Sequence, residues 1–205
     1  MRMYKLQMNR IIPISLVIGF TIMLFSCGNN DYTPKPRGYF RIDMPEHEYE
    51  KFDSTFPYTF EYPVYTIIRT QGPNLRKKYW FNLVYPDYNG TVYFSYKPVN
   101  NDLGRLINDS HEFVDKHIPK ASAIDEHIIT NREKDVFGII WEINGAGAAS
   151  PYQFFLTDSA NHFLRGALYF RNVPNNDSLA PVIDFVQNDM NHLIRTFRWK
   201  KAEKD

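Results

Sequence analysis

The sequence predicts an α+β fold: a single, largely antiparallel β-sheet packed with two main helices. The chain of 205 residues contains 16 Phe, 14 Tyr and 3 Trp, and aromatic side chains favour strands. Several short segments alternate between apolar and polar residues and are joined by turns of hairpin length, which is typical of antiparallel pairs. Two longer segments carry apolar residues at helical spacing, and each such helix must cover a sheet face.

Residues 1–26 are expected to form a lipoprotein signal peptide. A basic start is followed by an apolar run over residues 11–25, which is too short to span a bilayer comfortably. Leu24 and the small Ser26 precede Cys27 in a pattern that resembles the lipobox of bacterial lipoproteins. Cys27 is the only cysteine of the sequence, so we expect it to carry acyl chains, palmitate among them, that anchor the protein in a lipid bilayer. The alternative is an ordinary secreted protein whose cysteine falls at the cleavage site.

The rest of the chain divides into a tether and one domain. Residues 27–38 are predicted to be a lipidated polar tether, because Asn, Asp and Pro dominate the segment 28–36. Residues 39–205 are predicted to be a single α+β domain. It starts with a strand or docking segment at 39–42, which a polar connection over 43–55 follows.

Three strands are predicted in the first half of the domain. Residues 58–62 alternate Tyr, Phe and Tyr with Thr and Glu, and Pro63 limits this strand to a sheet edge or bends it. Alternation at 79–85 and again at 92–96 predicts the next two strands. The Asn-Gly pair at 89–90 between them is a strong hairpin signal.

The first helix is predicted over residues 103–118, where apolar residues recur at helical spacing. Asn101 or Asp102 can cap its start, and Pro119 stops it. Small residues from Gly145 to Ser150 form a later turn, which we expect to let a helix approach the sheet closely.

Four strands and a second helix complete the domain. The strands are predicted at 124–130, 137–143, 152–157 and 162–170. The last helix runs from Leu179 to Phe197, with Pro181 in its first turn, where a missing N–H costs little, and Ser178 as a natural N-cap. This order of elements resembles the PsbP/Mog1 fold, a binding scaffold rather than an enzyme fold.

Charge and residue inventory exclude several classes of function. Lys and Arg total 24 against 23 for Asp and Glu, so no basic field is present to attract nucleic acid. One cysteine excludes a disulfide framework and a Cys-rich zinc site. None of the six histidines stands in a His-Glu-x-x-His arrangement, and His111 with Asp115 is expected on a solvated helix face. No Gly-x-Ser-x-Gly elbow occurs, so we predict no catalytic residue, metal ligand or cofactor.

A short run after the lipobox resembles a known family. The segment Tyr32–Ile42, and above all its Pro-Lys-Pro-Arg-Gly-Tyr-Phe-Arg-Ile core, is similar to the start of mature gliding motility lipoproteins of the GldD family of Bacteroidota. The resemblance implies a non-enzymatic accessory of gliding motility and of the type IX secretion machinery, with other envelope proteins as partners and no small-molecule substrate. No aspartate follows Cys27 directly, so we expect an outer-membrane anchor with the domain facing the periplasm.

Residues of the same segment are candidates for partner binding. Arg37, Tyr39, Phe40 and Arg41 are residue types enriched at interface hot spots. The preceding prolines bias the chain to an extended form that costs little to order. The alternative is that Tyr39 and Phe40 pack inside the domain and start its sheet.

One modification depends on the family resemblance. Secreted proteins of this bacterial group are O-glycosylated at Asp followed by Ser or Thr and then by an apolar residue or Thr. Ser54, Ser159 and Ser178 stand in such motifs and are candidate sites. The alternative for Ser159 is that it serves as a turn residue, and the alternative for Ser178 is that it caps the N-terminus of the last helix.

Two other functions remain open at this point. A periplasmic lipoprotein that binds a small ligand or glycan would use an aromatic pocket, and the candidates for stacking are Trp80, Trp141, Tyr93 and Tyr152. An envelope hydrolase would need a convergent cluster of Ser, His and Asp, or of His and a carboxylate.

Overall fold

The computed structural model describes residues 42–70 and 77–200. Within these residues the chain forms ten strands and two α-helices, with short 3-10 turns at Pro86–Tyr88 and Ile118–Lys120. The strands are β1 (Tyr49–Phe52), β2 (Tyr58–Pro63), β3 (Ile67–Thr70), β4 (Phe81–Tyr85), β5 (Gly90–Pro98), β6 (Ala123–Asn131), β7 (Val136–Asn144), β8 (Tyr152–Thr157), β9 (His162–Phe170) and β10 (Arg198–Trp199). The helices are α1 (Leu103–Asp115) and α2 (Asn176–Thr196).

Seven strands form one large sheet in the order β3-β4-β5-β9-β8-β7-β6. Every neighbouring pair is antiparallel, and the hairpins predicted from alternation are present, including the one that turns at Asn89. The predicted α+β class, a mostly antiparallel sheet with two helices, is therefore confirmed.

A second, smaller sheet was not predicted. Strands β1, β2 and β10 pair as three antiparallel strands apart from the large sheet, so the segment 58–62 does not join the sheet expected for it. β2 is the central strand, and Pro63 pairs with Tyr49 at its end. β10 pairs only with Tyr58 and Thr59, so the missing N–H of Pro63 interrupts no ladder on that side.

Two short strands were not predicted from the sequence. β1 lies inside the segment 43–55 that was expected to be a polar connection, and β3 follows the turn after Pro63. The residues of both strands are exposed or half-buried, so neither strand has a buried apolar face that alternates with a polar one. They form because they pair with β2 and β4, respectively. Ile42 lies outside any strand, and the remainder of the predicted segment 39–42 is outside the described residues.

One face of the large sheet carries the main core. α2 and the small sheet pack on this face, and nine of the 21 buried side chains of this core are aromatic. The rings of Phe81 and Phe94 stack with centroids 4.2 Å apart, and Phe60 stacks on Phe81 at 5.3 Å. Aromatic stacking of this kind adds to the free energy gained from apolar burial.

α1 packs on the opposite face, over β8 and β9. Leu106, Val114, Trp141, Phe155 and Phe163 form this second core. The helix ends at Asp115, earlier than the predicted residue 118, because the chain passes into the 3-10 turn around Pro119. Asp102 occupies the N-cap position, but its side chain accepts from the Asn100 N–H and pairs with Arg105 instead of capping α1.

α2 begins at Asn176, before the predicted start at Leu179. Ser178 therefore lies inside the first turn, and the prediction that it caps the helix is wrong. Pro181 falls in the second turn rather than the first. The turn after β7 holds the start of the helix, because Asn176 Nδ2 donates to the carbonyl oxygens of Gly145 and Ala148, each at 2.9 Å. Gly145 is required by the close approach of another segment, because its φ is 137° and a Cβ there would lie 2.5 Å from the carbonyl oxygen of Lys120.

Candidate functional site

Five residues predicted to act at the N-terminus lie outside the described part of the chain. These are the lipidation site Cys27 and the partner-binding candidates Arg37, Tyr39, Phe40 and Arg41. Their roles remain predictions. In the described ranges, no helix combines the length and the apolar character needed to cross a bilayer.

The three candidate glycosylation serines lie at or near the surface. Ser159 is exposed in the turn between β8 and β9, with a positive φ of 65°, and Ser178 is exposed on α2. Ser54 is half-buried, and its hydroxyl accepts from the Phe56 N–H at 3.2 Å. Glycosylation of these residues remains a prediction.

Of the four aromatic residues proposed for ligand stacking, two are buried and two line a cavity. Trp141 and Tyr152 are buried in the two cores, with 2% and 0% of their surface exposed, so they cannot stack on a ligand. Their polar atoms are bonded internally, Trp141 Nε1 to Glu126 and the Tyr152 hydroxyl to Asn191. Trp80 and Tyr93 instead line an open cavity between α1 and the large sheet.

This cavity has a volume of about 420 Å³, within the range of about 300–1,000 Å³ that is usual for ligand pockets. β4, β5 and β9 form its floor, and α1 forms one wall. The Trp80 ring is held in place because its Nε1 donates to the carbonyl oxygen of Tyr96 at 2.7 Å. Tyr93 is 42% exposed and Phe113 43% exposed, so aromatic surface is available at the mouth.

A second polar site lies on the other face of the sheet, around a buried carboxylate on α2. Asp189 has no exposed surface and accepts hydrogen bonds from four side chains, of which Tyr65 reaches both carboxylate oxygens. His47 Nδ1 donates to Oδ1 at 2.7 Å, and the Tyr49 hydroxyl donates to the same oxygen at 3.0 Å. The hydroxyls of Tyr65 and Tyr85 donate to Oδ2 at 2.9 and 3.2 Å. We call these five residues the Asp189 cluster.

Burial dominates the electrostatics of this cluster. Desolvation raises the pKa of Asp189 above its ordinary value, although the donors from Tyr65, His47 and Tyr49 act in the opposite direction. Burial and the adjacent carboxylate raise the pKa of Tyr49 to about 12. The pKa of Tyr85 is also raised by burial first and by Asp189 second. The tyrosines therefore stay protonated at neutral pH and serve as donors.

Ring contacts attach the same N-terminal segment to α2. His47 stacks on Phe185 with centroids 4.4 Å apart, and Tyr49 stacks on His192 at 3.6 Å. His192 Nε2 lies 2.7 Å from Glu61 Oε2 of β2. The Asp189 cluster and these rings thus hold the segment 47–52 and the small sheet against α2.

The chemistry open to the cluster is limited by its contacts. The pair of His47 and Asp189 has the geometry by which a carboxylate orients an imidazole. A nucleophilic triad also needs a hydroxyl on the other ring nitrogen, and the hydrogen bonds found within 42–70 and 77–200 include none there. No group of three metal-ligating side chains occurs in these ranges either, and His111 packs its ring edge-on against Trp141.

Sequence reasoning missed the Asp189 cluster, although one signal was present. Asp189 lies between Val186 and Leu193 on the apolar stripe of α2, where an acid is exceptional unless it is paired. Its donors come from three distant segments of the sequence, so pattern alone could not have named them.

Taken together, the described residues form an antiparallel α+β domain with an open cavity on one face and a segment fastened to α2 on the other. The chain belongs to the gliding motility lipoprotein GldD family, whose model matches residues 29–199. Membership implicates the protein in gliding motility and implies a membrane-anchored lipoprotein of the cell envelope.

Among solved structures, the chain is similar to the solution structure of cyanobacterial PsbP (CyanoP) from Synechocystis sp. PCC 6803. The match covers 78% of this chain and 97% of that chain, with 11% sequence identity and a TM-score of 0.45. A comparison with curated proteins gave no match.

Proposed function

We propose that this protein is an outer-membrane lipoprotein that acts as a non-enzymatic accessory of gliding motility and of type IX protein secretion. The observation that carries the proposal is the family match, which begins at residue 29, directly after the lipobox pattern around Cys27. Acyl chains on Cys27 insert into the membrane, residues 27–38 act as a tether, and the folded domain faces the periplasm.

The arrangement of the N-terminal segment supports an anchoring role. His47 and Tyr49 lie only a short distance along the chain from the tether, and both are bonded to Asp189 of α2. These bonds keep the start of the described domain attached to its core. Such a domain is suited to hold or stabilise partner proteins at the membrane, and Arg37, Tyr39, Phe40 and Arg41 are the proposed contact residues.

The proposal is tested by replacing Cys27 in the chromosome. We expect Cys27→Ala to be absent from the outer-membrane fraction, because without the cysteine no acyl chains are attached and the anchor loses about 0.8 kcal/mol for each methylene. Colony spreading and export of type IX cargo should fall with it. Membrane fractionation, mass spectrometry of the mature N-terminus and protease treatment of intact and lysed cells provide the measurements.

Ser26→Ala is the matched control, because it keeps a small residue before the cysteine. We expect this variant to be lipidated, to fractionate with the outer membrane and to support spreading at the wild-type level. Normal spreading and cargo export in a strain that lacks the whole gene would contradict the proposed function. Protein in the inner-membrane fraction would contradict the proposed location.

A further inference from the structure

The cavity exists because α1 covers only part of its sheet face. The helix packs over β8 and β9, whereas β4 and β5 continue beyond it. Asn82, Tyr93 and Ser95 lie on this uncovered portion and form the floor. Trp80 and Phe113 face the same space from the two sides. The result is a polar floor between aromatic walls, which is the usual composition of a small-molecule site.

Cationic side chains dominate the lining. Lys77, Lys97 and Arg165 all border the cavity, against the one acid Asp109. Asp109 is already engaged on α1, where Arg105 Nη1 lies 3.1 Å from its Oδ2. In the described ranges none of the three lining cations forms an ion pair with a carboxylate. The cavity therefore presents positive charge that the domain itself does not neutralise.

Arg165 is the cation placed deepest. Its guanidinium lies 4.5 Å from the centre of the Phe113 ring and donates to Gln153 Oε1, its only hydrogen bond to a described residue. Its Nε is buried and has no hydrogen-bond partner. A buried charged donor left unsatisfied is costly, and Nε itself is closed off from the cavity, so a ligand there would contact the rest of the guanidinium. Burial also lowers the pKa of Arg165, which shows that its charge is poorly solvated there.

We propose that this cavity binds a small carboxylate ligand whose body is a ring with an apolar face. The carboxylate would accept from Arg165, with Lys97 and Lys77 adding attraction at the mouth, because guanidinium and carboxylate form short charge-assisted hydrogen bonds. The ring would lie against Trp80 or Tyr93, because the Phe113 ring is already covered by Arg165 and Lys116. This inference is independent of the proposed role in motility, since it concerns binding by the isolated protein.

Calorimetric titration of the full-length protein in a non-ionic detergent tests the proposal. Two carboxylates are each compared with a neutral counterpart: N-acetylphenylalanine with its amide, and glucuronate with methyl glucoside. We expect at least one carboxylate to bind with millimolar affinity or better in titrations up to about 10 mM, and its neutral counterpart to bind at least about tenfold more weakly. The pair that responds distinguishes an aromatic acid from an acidic sugar.

Variants show whether binding occurs in this cavity. Arg165→Met should weaken carboxylate binding by about tenfold to a hundredfold, because it removes the charged donor. Arg165→Met also removes the hydrogen bond to Gln153, so a loss of binding in that variant could reflect a change in the fold. Lys97→Met is therefore a second variant at an exposed position, and its affinity for the carboxylate should fall by about threefold. The matched control is Lys120→Met, an exposed lysine outside the cavity, which should bind like the wild type. Equal binding of each acid and its neutral counterpart, or equal binding by all three variants, would overturn the proposal.

Discussion

Replacement of Asp189 is the sharpest test of how the N-terminal segment is attached to the domain. Asp189→Ala removes the acceptor that His47, Tyr49, Tyr65 and Tyr85 share. We expect the free energy of unfolding to fall, and the segment 47–52 to lose its protection from hydrogen exchange before the rest of the domain unfolds.

The magnitude follows from the burial of each donor. The Tyr85 hydroxyl lies in the core, because Tyr85 is only 1% exposed, and leaving it without an acceptor costs about 1–3 kcal/mol. His47, Tyr49 and Tyr65 are partly exposed and regain hydrogen bonds to water, so their combined loss adds about 1 kcal/mol. The expected destabilisation at neutral pH is therefore about 2–4 kcal/mol, or roughly 4–16 °C in Tm.

Asp184→Ala is the matched control on the same helix. Asp184 is exposed, so its replacement gains the same helix propensity without touching the Asp189 cluster. Urea unfolding followed by tryptophan fluorescence measures both variants, and Asp184→Ala should stay within about 0.5 kcal/mol of the wild type. If the two variants unfold at the same urea concentration, the cluster does not stabilise the fold and the reasoning is wrong.

The same pair of variants has a defined pH dependence. Burial raises the pKa of Asp189 in the folded state above its unfolded value, so the native state binds the proton more tightly. The contribution of Asp189 is complete below the unfolded pKa and declines as pH rises through the folded pKa. The deficit of Asp189→Ala relative to Asp184→Ala should therefore shrink as pH rises above the ordinary pKa of an aspartate, about 4. A deficit that grows as pH rises would contradict the direction of the shift.

Three further substitutions test the sheet and its helices. Gly138→Ala should destabilise the fold by about 3 kcal/mol or more, because a Cβ at Gly138 would lie 1.9 Å from the carbonyl oxygen of Phe155. If this variant unfolds at the same urea concentration as the wild type, the pairing register of β7 and β8 is wrong. Gly104→Ala in α1, where nothing lies within 4 Å of the added carbon, should instead raise the Tm through a gain of about 0.5–1 kcal/mol. Ile128 lies on the edge strand β6 and is 78% exposed, so Ile128→Thr should change the free energy of unfolding by less than about 0.5 kcal/mol. A larger loss in thermal unfolding would indicate that a partner or another segment covers this edge.

Local periodicity predicted most of the elements, and its failures have physical causes. Strands β4, β5 and β7 alternate because one face of each is more deeply buried than the other, and this alternation is visible in the sequence without knowledge of the partner. β8 is instead buried on both faces and β6 is largely exposed, so these two strands do not alternate in burial. β1 and β3 are short and half-exposed, so they lack that signal. The start of α2 was misplaced because Ser178 is a good cap locally, whereas the turn at Gly145–Ala148 binds Asn176 and fixes an earlier start.

The candidate sites were less predictable than the elements. Trp80, Trp141, Tyr93 and Tyr152 are alike in sequence, since all four lie on or beside predicted strands. The position of α1 buries Trp141 and leaves Trp80 and Tyr93 at the cavity, and α2 covers Tyr152. Nothing in the sequence marks Arg165 as a site residue, because a lone arginine in a strand forms no motif.

The amino-acid sequence alone determined the α+β class, the lipoprotein signature at Cys27 and the family, because these depend on residues close together along the chain. Tertiary structure decided the separation of β1, β2 and β10 from the large sheet, the burial of Asp189 among donors from distant segments and the opening of the cavity beside Arg165. Each of these depends on which faces of the strands and helices meet in space, and burial and hydrogen bonding act only once those faces are in contact.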